Sequence, residues 1–300
     1  MDMKKKGLLL VLATAIISGV SIFLNAFAVK GFDSSVFTFS KNILVAALLS
    51  AGILAAGMMS SLRSLTKKQW SLLATIGLIG GSVPFLLFFK GMQMATGPTS
   101  AFIHKSMFIV VAILAAVFLK EHVSKWFMIG AAVVLAGTFL MVRPDLSFSV
   151  GHLLIAAATL LWAIENTISK HAVKDIPGTV VAWGRMAFGS IFILAFLVAT
   201  GKAGQVVSMS SQQYLWILVT SALLLGFVWT FYNGIKSVPI STATAILSVG
   251  APTTVVLTWV FGGVALPASQ LAGTVLIVVG VVLIVLLSDT RVAVAMHGRA

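Results

Sequence analysis

Several ionisable residues stand inside long apolar stretches of this sequence, where a charge is costly unless it is paired or used, and three of them are candidates for a site. His104 and Lys105 are neighbours near the start of SAFIHKSMFIVVAILAAVFL, residues 100–119. Glu165 is the acidic residue deep within LLIAAATLLWAIENTISK, residues 153–170. A cation that faces a cavity would attract a carboxylate, and a buried carboxylate would bind an amine or a proton. These residues are therefore candidates for binding a small charged molecule.

Each of the three also has an alternative role. Lys105 lies about 7 residues into its stretch, roughly 10 Å from the end at 1.5 Å per residue, so its long side chain could reach the polar surroundings instead. His104 points about 100° away from Lys105 on a helix and could titrate in a useful range or be a hydrogen-bonded packing residue. Glu165 could form a structural pair with Lys170 or Arg185.

Further candidates for substrate binding also lie inside apolar stretches. Aromatic and amide side chains could line an amphipathic pocket, with packing or lipid contact as the alternative. Two prolines, in IGGSVPF and SVGAPTT, interrupt helices and free backbone carbonyls, with a simple packing kink as the alternative. These candidates are Trp162, Asn166, Trp229, Tyr232, Asn233, Pro84 and Pro252.

The composition indicates an integral membrane protein. Of the 300 residues, 59% are hydrophobic and only 9% are charged, against about 25% charged in soluble domains. The apolar residues come in blocks of about 20, the length of a membrane-spanning helix. The net charge of +13 is dispersed between the blocks and forms no basic face, so nucleic acid is not an expected partner. The chain has no cysteine, which excludes disulfides and thiolate metal sites.

Ten spans connected by short loops are predicted to position these candidates. Lys and Arg are concentrated in the loops on one side, 13 against three, if the N-terminus is taken as inside, so both termini are expected in the cytoplasm. The predicted spans are 7–28, 36–58, 69–91, 98–119, 123–142, 151–171, 179–200, 213–235, 240–262 and 268–288.

The two halves of the chain form an internal repeat. Each unit holds five helices, an odd number, so the second copy enters the membrane upside down, as in many secondary transporters. We predict an all-α membrane protein of two inverted five-helix repeats, residues 1–146 and 147–290, followed by a cytoplasmic tail, residues 291–300. A shift of 143 residues matches Gly91 to Gly234, Gly130 to Gly273 and Gly137 to Gly280.

The repeat separates matched cations from an unmatched one. A shift of 144 residues places Lys41 opposite Arg185, and this symmetry favours a structural, helix-anchoring role for both. Lys105 instead stands opposite the uncharged Ser248 under the 143-residue shift. The scaffold therefore does not require a cation at that place, and we expect Lys105 to influence substrate choice.

Ten spans arranged as 5+5, a basic residue early in spans 2 and 7, and FLKEHVSKWFMIGAAVVLAGTFLMV (118–142) resemble the drug/metabolite transporter superfamily, and within it the EamA-type branch. This resemblance covers nearly the whole chain. It implies export of small metabolites, amino acids or drugs across the inner membrane of a prokaryote. It also implies a central cavity lined by spans 1, 3, 4, 6, 8 and 9, with spans 5 and 10 as scaffold and sometimes as dimer contacts. Val264 stands where the second copy of Glu121 would be, so we expect Glu121 to cap or anchor a helix start.

These observations lead to a secondary-active, alternating-access exporter of small amphipathic metabolites, with amino acids as the leading substrate class. Lys105 would bind the carboxylate, Glu165 the amine or a proton, and the aromatic residues the side chain. A multidrug exporter of lipophilic cations and a passive channel or facilitator are the alternatives. The sequence contains no Walker A, H-E-x-x-H or G-x-S-x-G motif, so we expect no enzyme, cofactor, metal site or catalytic residue. The expected partners are a small-molecule substrate and the lipid bilayer, and the chain is expected to be a monomer or homodimer.

Overall fold

Among the residues that the computed structural model describes, ten helices are long and apolar enough to cross a membrane. The structure describes residues 2–28, 31–95, 97–145, 148–263 and 265–297, with side chains up to residue 287, and no strand occurs within these ranges. The last helix continues beyond its apolar part to His297. Numbered 1 to 10, the spans are Met3–Ala28, Ser34–Ala55, Lys67–Met92, Gly97–Leu119, Lys125–Val142, Val150–Ala172, Gly178–Ala199, Ser211–Gly234, Ile240–Gly262 and Ala268–Leu287.

Matching side-chain caps start spans 3 and 8. Thr66 accepts a hydrogen bond from the backbone N–H of Gln69, whose side chain in turn accepts from the backbone N–H of Thr66. Ser210 and Gln213 form the same reciprocal pair at the start of span 8. Such a box satisfies two of the donors that a helix start leaves without partners. The two boxes are 144 residues apart, so the repeat extends to the local chemistry of helix initiation.

Spans 5 and 10 pack through glycines in a way that demonstrates the inverted repeat. A Cβ on Gly130 would lie 2.7 Å from the carbonyl oxygen of Gly280, and one on Gly137 would lie 2.8 Å from that of Gly273. The sequence matches Gly130 to Gly273 and Gly137 to Gly280, so each glycine contacts the mate of the other. A two-fold axis between the repeats produces this exchange. The prediction of two inverted repeats is confirmed.

The same exchange joins the first helix of each repeat to the opposite repeat. A Cβ on Gly234 of span 8 would lie 3.2 Å from the carbonyl oxygen of Gly7 in span 1. In the equivalent pair, a Cβ on Gly91 of span 3 would lie 2.7 Å from the carbonyl oxygen of Gly151 in span 6. Span 1 therefore packs into the second repeat and span 6 into the first, which places residues of both repeats around the centre.

Within the described part of the chain, three spans are interrupted rather than continuous. Span 3 breaks at Ser82 (φ −136°, ψ −77°), just before Pro84, and span 9 passes through a tight 3-10 turn at Leu247–Val249. Span 4 breaks at Ser106, where the sequence carries neither glycine nor proline and predicts no interruption. The 143-residue shift places Ser106 opposite Val249, so the fourth helix of each repeat breaks at the same point.

An ion pair joins the two repeats at one end of the bundle. Asp33 caps span 2 by accepting from the backbone N–H groups of Ser35 and Val36, and its Oδ2 lies 2.6 Å from Nζ of Lys202. Burial raises the pKa of Asp33, but the hydrogen bonds from Lys202, Ser35 and Val36 outweigh burial and hold the pKa below its ordinary value of 3.8. The ionised carboxylate therefore stabilises the fold.

Some sequence predictions fall outside the described residues. The predicted boundary between residues 146 and 147, Val264, and residues 298–300 of the predicted tail all lie there, as does Lys30, one of the three cations counted in the loops of the outer side. The division into residues 1–146 and 147–290 therefore stays a prediction. Glu121, by contrast, is described: its carboxylate accepts from the backbone N–H groups of Ile240 (2.8 Å) and Ser241 (3.1 Å) and from the Ser241 hydroxyl. The expectation that Glu121 caps a helix start is confirmed, and the helix is span 9.

Candidate functional site

The break in span 3 frees a backbone carbonyl that the second repeat binds. Pro84 has no N–H, so the carbonyl of Gly80, four residues earlier, lacks its helical donor. That oxygen instead accepts from Nε1 of Trp162 at 3.1 Å and from Nη2 of Arg185 at 3.0 Å. Trp162 lies in span 6 and Arg185 in span 7, so one carbonyl joins three helices.

Glu165 lies beside this carbonyl and is almost fully buried, with 2% of its surface exposed. Its Oε1 accepts from the hydroxyl of Tyr232 in span 8 at 2.6 Å and from the hydroxyl of Ser169 at 2.6 Å. A Cβ on Gly80 would lie 2.8 Å from Cδ of Glu165. Because only glycine has no Cβ, Gly80 lets the carboxyl group approach the backbone of span 3.

The positively charged side chain of Arg185 lies beside the same glycine, Gly80. A Cβ on Gly80 would lie 3.1 Å from Nε of Arg185, and the arginine side chain is 7% exposed. Nε has no hydrogen-bond partner among the described residues, and no ion pair within 4.0 Å joins Arg185 to Glu165 there. Lys170, the other proposed partner of Glu165, instead donates to the carbonyls of Ile235 and Val238.

Aromatic rings cover one side of this polar group. The ring centroid of Trp162 lies 5.0 Å from that of His104, 5.1 Å from Phe85 and 5.5 Å from Phe88. His104 and Phe88 also meet edge to face at 5.2 Å. Nδ1 of His104 has no hydrogen-bond partner in the described part of the chain. Spans 3, 4 and 6 therefore build an apolar wall with a polar atom in it.

We name the central cluster by its residues: Gly80, Glu165, Arg185, Tyr232, Trp162 and His104. Pro84 belongs to it through the freed carbonyl. Asn166 is adjacent on span 6, where its Nδ2 donates to the carbonyl of Trp162 at 2.9 Å and lies 3.9 Å from Sδ of Met107. The structure thus brings together six of the ten sequence candidates, drawn from four spans. Those six are Pro84, His104, Trp162, Glu165, Asn166 and Tyr232.

Lys105 lies at the edge of the central cluster. It is half-buried and ends the first half of span 4, directly before the break at Ser106. Its ammonium makes no hydrogen bond or ion pair with the residues that the structure describes. The lysine is thus next to His104 in the chain, but no direct contact joins it to Glu165.

Three other candidates lie away from the central cluster. Trp229, expected at depth, is 45% exposed and continues an apolar exposed stripe with Leu215 and Leu218, so it faces outward. Asn233 donates to Thr179 and to the carbonyl of Trp229. Pro252 is buried in span 9. Within the described ranges, none of the three shares a hydrogen bond or a ring contact with the cluster.

Arg185 is the residue of the cluster for which the repeat favoured another role, although the sequence also offered it as a structural partner of Glu165. The repeat matched it to Lys41 and favoured the same anchoring role for both. Lys41 instead lies 3.3 Å from Oδ1 of Asn25 and 4.7 Å from the ring of Phe37, so the mates have different partners. Pro84 carried the missing signal, because the carbonyl that it frees must find a donor elsewhere.

Two crevices at opposite ends of the bundle are related by the repeat. One of about 350 Å³ lies between spans 1 and 8, and one of about 220 Å³ lies between spans 3 and 6. A shift of 144 residues superposes much of their linings. The first is lined by Phe27, Phe32, Gln212, Gln213 and Trp216, and the matching residues of the second are His171, Ile176, Lys68, Gln69 and Leu72. The central cluster lies in neither crevice.

Comparisons with known proteins agree with this architecture. The family model described as EamA-like transporter family matches residues 5–143 and again residues 149–286. The chain is 23% identical over 286 residues to an uncharacterized transporter, YyaM, of Bacillus subtilis (strain 168), covering 91% of each chain. A protein of known crystal structure has a similar fold, with a TM-score of 0.76 at 18% identity, over 93% of this chain and 97% of that one.

Proposed function

The chain belongs to the EamA-like transporter family and is a membrane transporter, and from this premise we propose that it is a secondary-active, alternating-access exporter of small amphipathic metabolites. Amino acids are the leading substrate class. One observation carries the proposal: the central cluster joins an acid, a base and aromatic rings between the two repeats. Sites of this kind, at broken helices near the repeat interface, are typical of secondary transporters.

The chemistry of the central cluster suits a molecule with both charged and apolar parts. Glu165 offers a carboxylate for an ammonium group or a proton, and Trp162 with His104 offers apolar ring surface. Lys105 adds a positive charge at the break in span 4 that would attract a carboxylate. A lipophilic cation fits less well, because Lys105 and Arg185 would repel it.

The cluster is closed in this structure, which fits alternating access. Glu165, Arg185, Tyr232 and Trp162 are all buried, so a substrate reaches them only when neighbouring helices move. Spans 3 and 4 break beside the cluster, at Ser82 and Ser106, and their half-helices can move without unfolding a whole span. We propose these half-helices as the moving parts.

The test is uptake of labelled amino acids into liposomes that contain the purified protein. We expect saturable uptake of at least one amino acid, and slower uptake at low substrate concentration for Lys105→Gln. Lys90→Gln is the matched control, because Lys90 is an exposed lysine at the end of span 3. Absence of uptake for every amino acid would refute the substrate class, and equal effects of the two substitutions would refute the role of Lys105.

The orientation is also part of the proposal. The distribution of Lys and Arg supports cytoplasmic termini in the inner membrane of a prokaryote, and the chain acts as a monomer or homodimer. Tags at either terminus should then be cut by protease in inverted membrane vesicles but not in intact spheroplasts. The reverse pattern would refute the orientation.

A further inference from the structure

Two opposite charges in the central cluster are close together but incompletely paired. Glu165 uses Oε1 for the hydroxyls of Tyr232 and Ser169, and Oε2 has no hydrogen bond within the described residues. Arg185 donates Nη2 to the carbonyl of Gly80, while its buried Nε has no partner there. A buried charged group with unused hydrogen-bonding capacity is costly, and such a cost inside a membrane span is typical of a binding site.

The positions of the Arg185 guanidinium and the Glu165 carboxylate indicate which kind of ligand could form their missing hydrogen bonds. A Cβ on Gly80 would lie 3.1 Å from Nε of Arg185 and 2.8 Å from Cδ of Glu165, so both groups flank the same glycine, although no ion pair within 4.0 Å joins them among the described residues. In this closed arrangement even a Cβ on Gly80 would overlap Cγ of Glu165, so a ligand reaches the two groups only after span 3 moves away from them. One small molecule that carries an anion and a cation on neighbouring atoms can then contact both groups. A guanidinium matches a carboxylate in shape as well as charge, and a carboxylate accepts from an ammonium. The α-carboxylate and α-ammonium of an amino acid have this arrangement.

We infer that Arg185 and Glu165 together form the subsite for the zwitterionic head of an α-amino acid, with Arg185 binding the carboxylate and Glu165 the ammonium. This inference rests on the proposed function and names the groups that select the substrate. In this assignment the substrate carboxylate binds Arg185 rather than Lys105. Lys105 instead attracts the substrate to the break in span 4. The side chain of the amino acid then lies toward the rings of Trp162, Phe85 and Phe88.

Arg185 lies in the second repeat, and the equivalent residue of the first repeat, Lys41, serves as the control substitution. Lys41 occupies the equivalent position but already contacts Asn25 and Phe37. If both cations only anchor their helices, neutralising either should have the same effect on substrate choice. If Arg185 binds the carboxylate, replacing Arg185 should reduce the preference for substrates with a free carboxylate, and replacing Lys41 should not.

The test is equilibrium binding of labelled L-leucine to purified protein, in competition with L-leucinamide and 4-methylpentanoate. L-Leucinamide lacks the carboxylate charge, and 4-methylpentanoate lacks the ammonium group. If wild-type protein takes up another amino acid faster than leucine, that amino acid and its amide and deamino analogues are used instead. For wild-type protein we expect leucine to compete about tenfold or more better than either analogue, since each analogue loses a charged hydrogen bond. Arg185→Gln should reduce the preference for leucine over leucinamide toward one, and Lys41→Gln should leave it unchanged.

Several results would contradict the inference. An unchanged preference for leucine over leucinamide in folded Arg185→Gln protein would overturn it, as would an equal loss in Lys41→Gln. If Arg185→Gln alone does not fold, the charge-balanced double variant Arg185→Gln/Glu165→Gln replaces it and should lose discrimination against both analogues; retained discrimination would overturn the assignment. Wild-type protein that binds no amino acid would refute the proposed function itself, which is a separate failure.

Discussion

The hydrogen bond between Tyr232 and Glu165 makes a quantitative prediction. Tyr232 is 1% exposed and its hydroxyl lies 2.6 Å from Oε1 of Glu165. Tyr232→Phe keeps the ring and creates no large cavity, so the lost interaction is the hydrogen bond alone. A hydrogen bond to a charged group contributes about 1.5–3 kcal/mol, and Ser169 remains as the second donor. We therefore expect the free energy of unfolding to fall by about 2 kcal/mol.

The chain contains two tyrosines, and the other supplies a matched control. Tyr214 is 44% exposed, and Tyr214→Phe should change the free energy of unfolding by less than about 0.5 kcal/mol. The assay is equilibrium unfolding in mixed detergent micelles, followed by circular dichroism. In a double-mutant cycle, Tyr232→Phe should cost much less when Glu165→Ala has already removed the acceptor. Equal effects of the two tyrosine substitutions, or strict additivity with Glu165→Ala, would refute the reasoning.

Three further predictions concern the frame around the central cluster. Gly137→Ala should lower the free energy of unfolding by about 1–3 kcal/mol, because its Cβ would meet backbone atoms of span 10 at 2.8 Å; Gly52→Ala, with nothing within 4 Å, should be neutral or stabilising. Asp33→Asn should lower the melting temperature at pH 7. The difference in melting temperature between variant and wild type should become smaller as the pH falls below 3.8 and through the lowered pKa of Asp33, because the wild-type carboxylate is then protonated. A constant difference from pH 7 to pH 3 would contradict this. Glu121→Ala should reduce stability by about 1 kcal/mol through the lost cap and leave the preference for leucine over leucinamide unchanged; a changed preference would place Glu121 in the site instead.

Much of the fold could be predicted because its signals are local or repeat along the chain. Apolar blocks of spanning length predicted ten helices, and glycines that recur after 143 residues predicted two inverted copies. These glycines lie where backbones approach most closely, as Gly130 does against Gly280, so packing constrains them in both copies. The break in span 4 at Ser106 was missed because no glycine or proline marks it, although Val249 lies at the equivalent point of span 9.

The site was less predictable because it depends on contacts between side chains of different helices, which lie far apart in the sequence. Glu165 and Tyr232 stood out as polar groups in apolar helices, but their contact joins positions 67 residues apart. Arg185 was assigned from its mate Lys41, yet the freed carbonyl of Gly80 exists only in the first repeat, where Pro84 interrupts span 3. An inverted repeat thus predicts shared architecture well, whereas the residues by which the copies differ build the asymmetric site.

The most direct test of alternating access is exchange across the membrane of a liposome. Labelled amino acid outside is offered to protein-containing liposomes that are either empty or loaded with the same unlabelled amino acid. A carrier that alternates around one site returns faster when loaded, so we expect faster initial uptake into the loaded liposomes. Uptake that is not accelerated by internal substrate and does not saturate would contradict the account and indicate a passive channel.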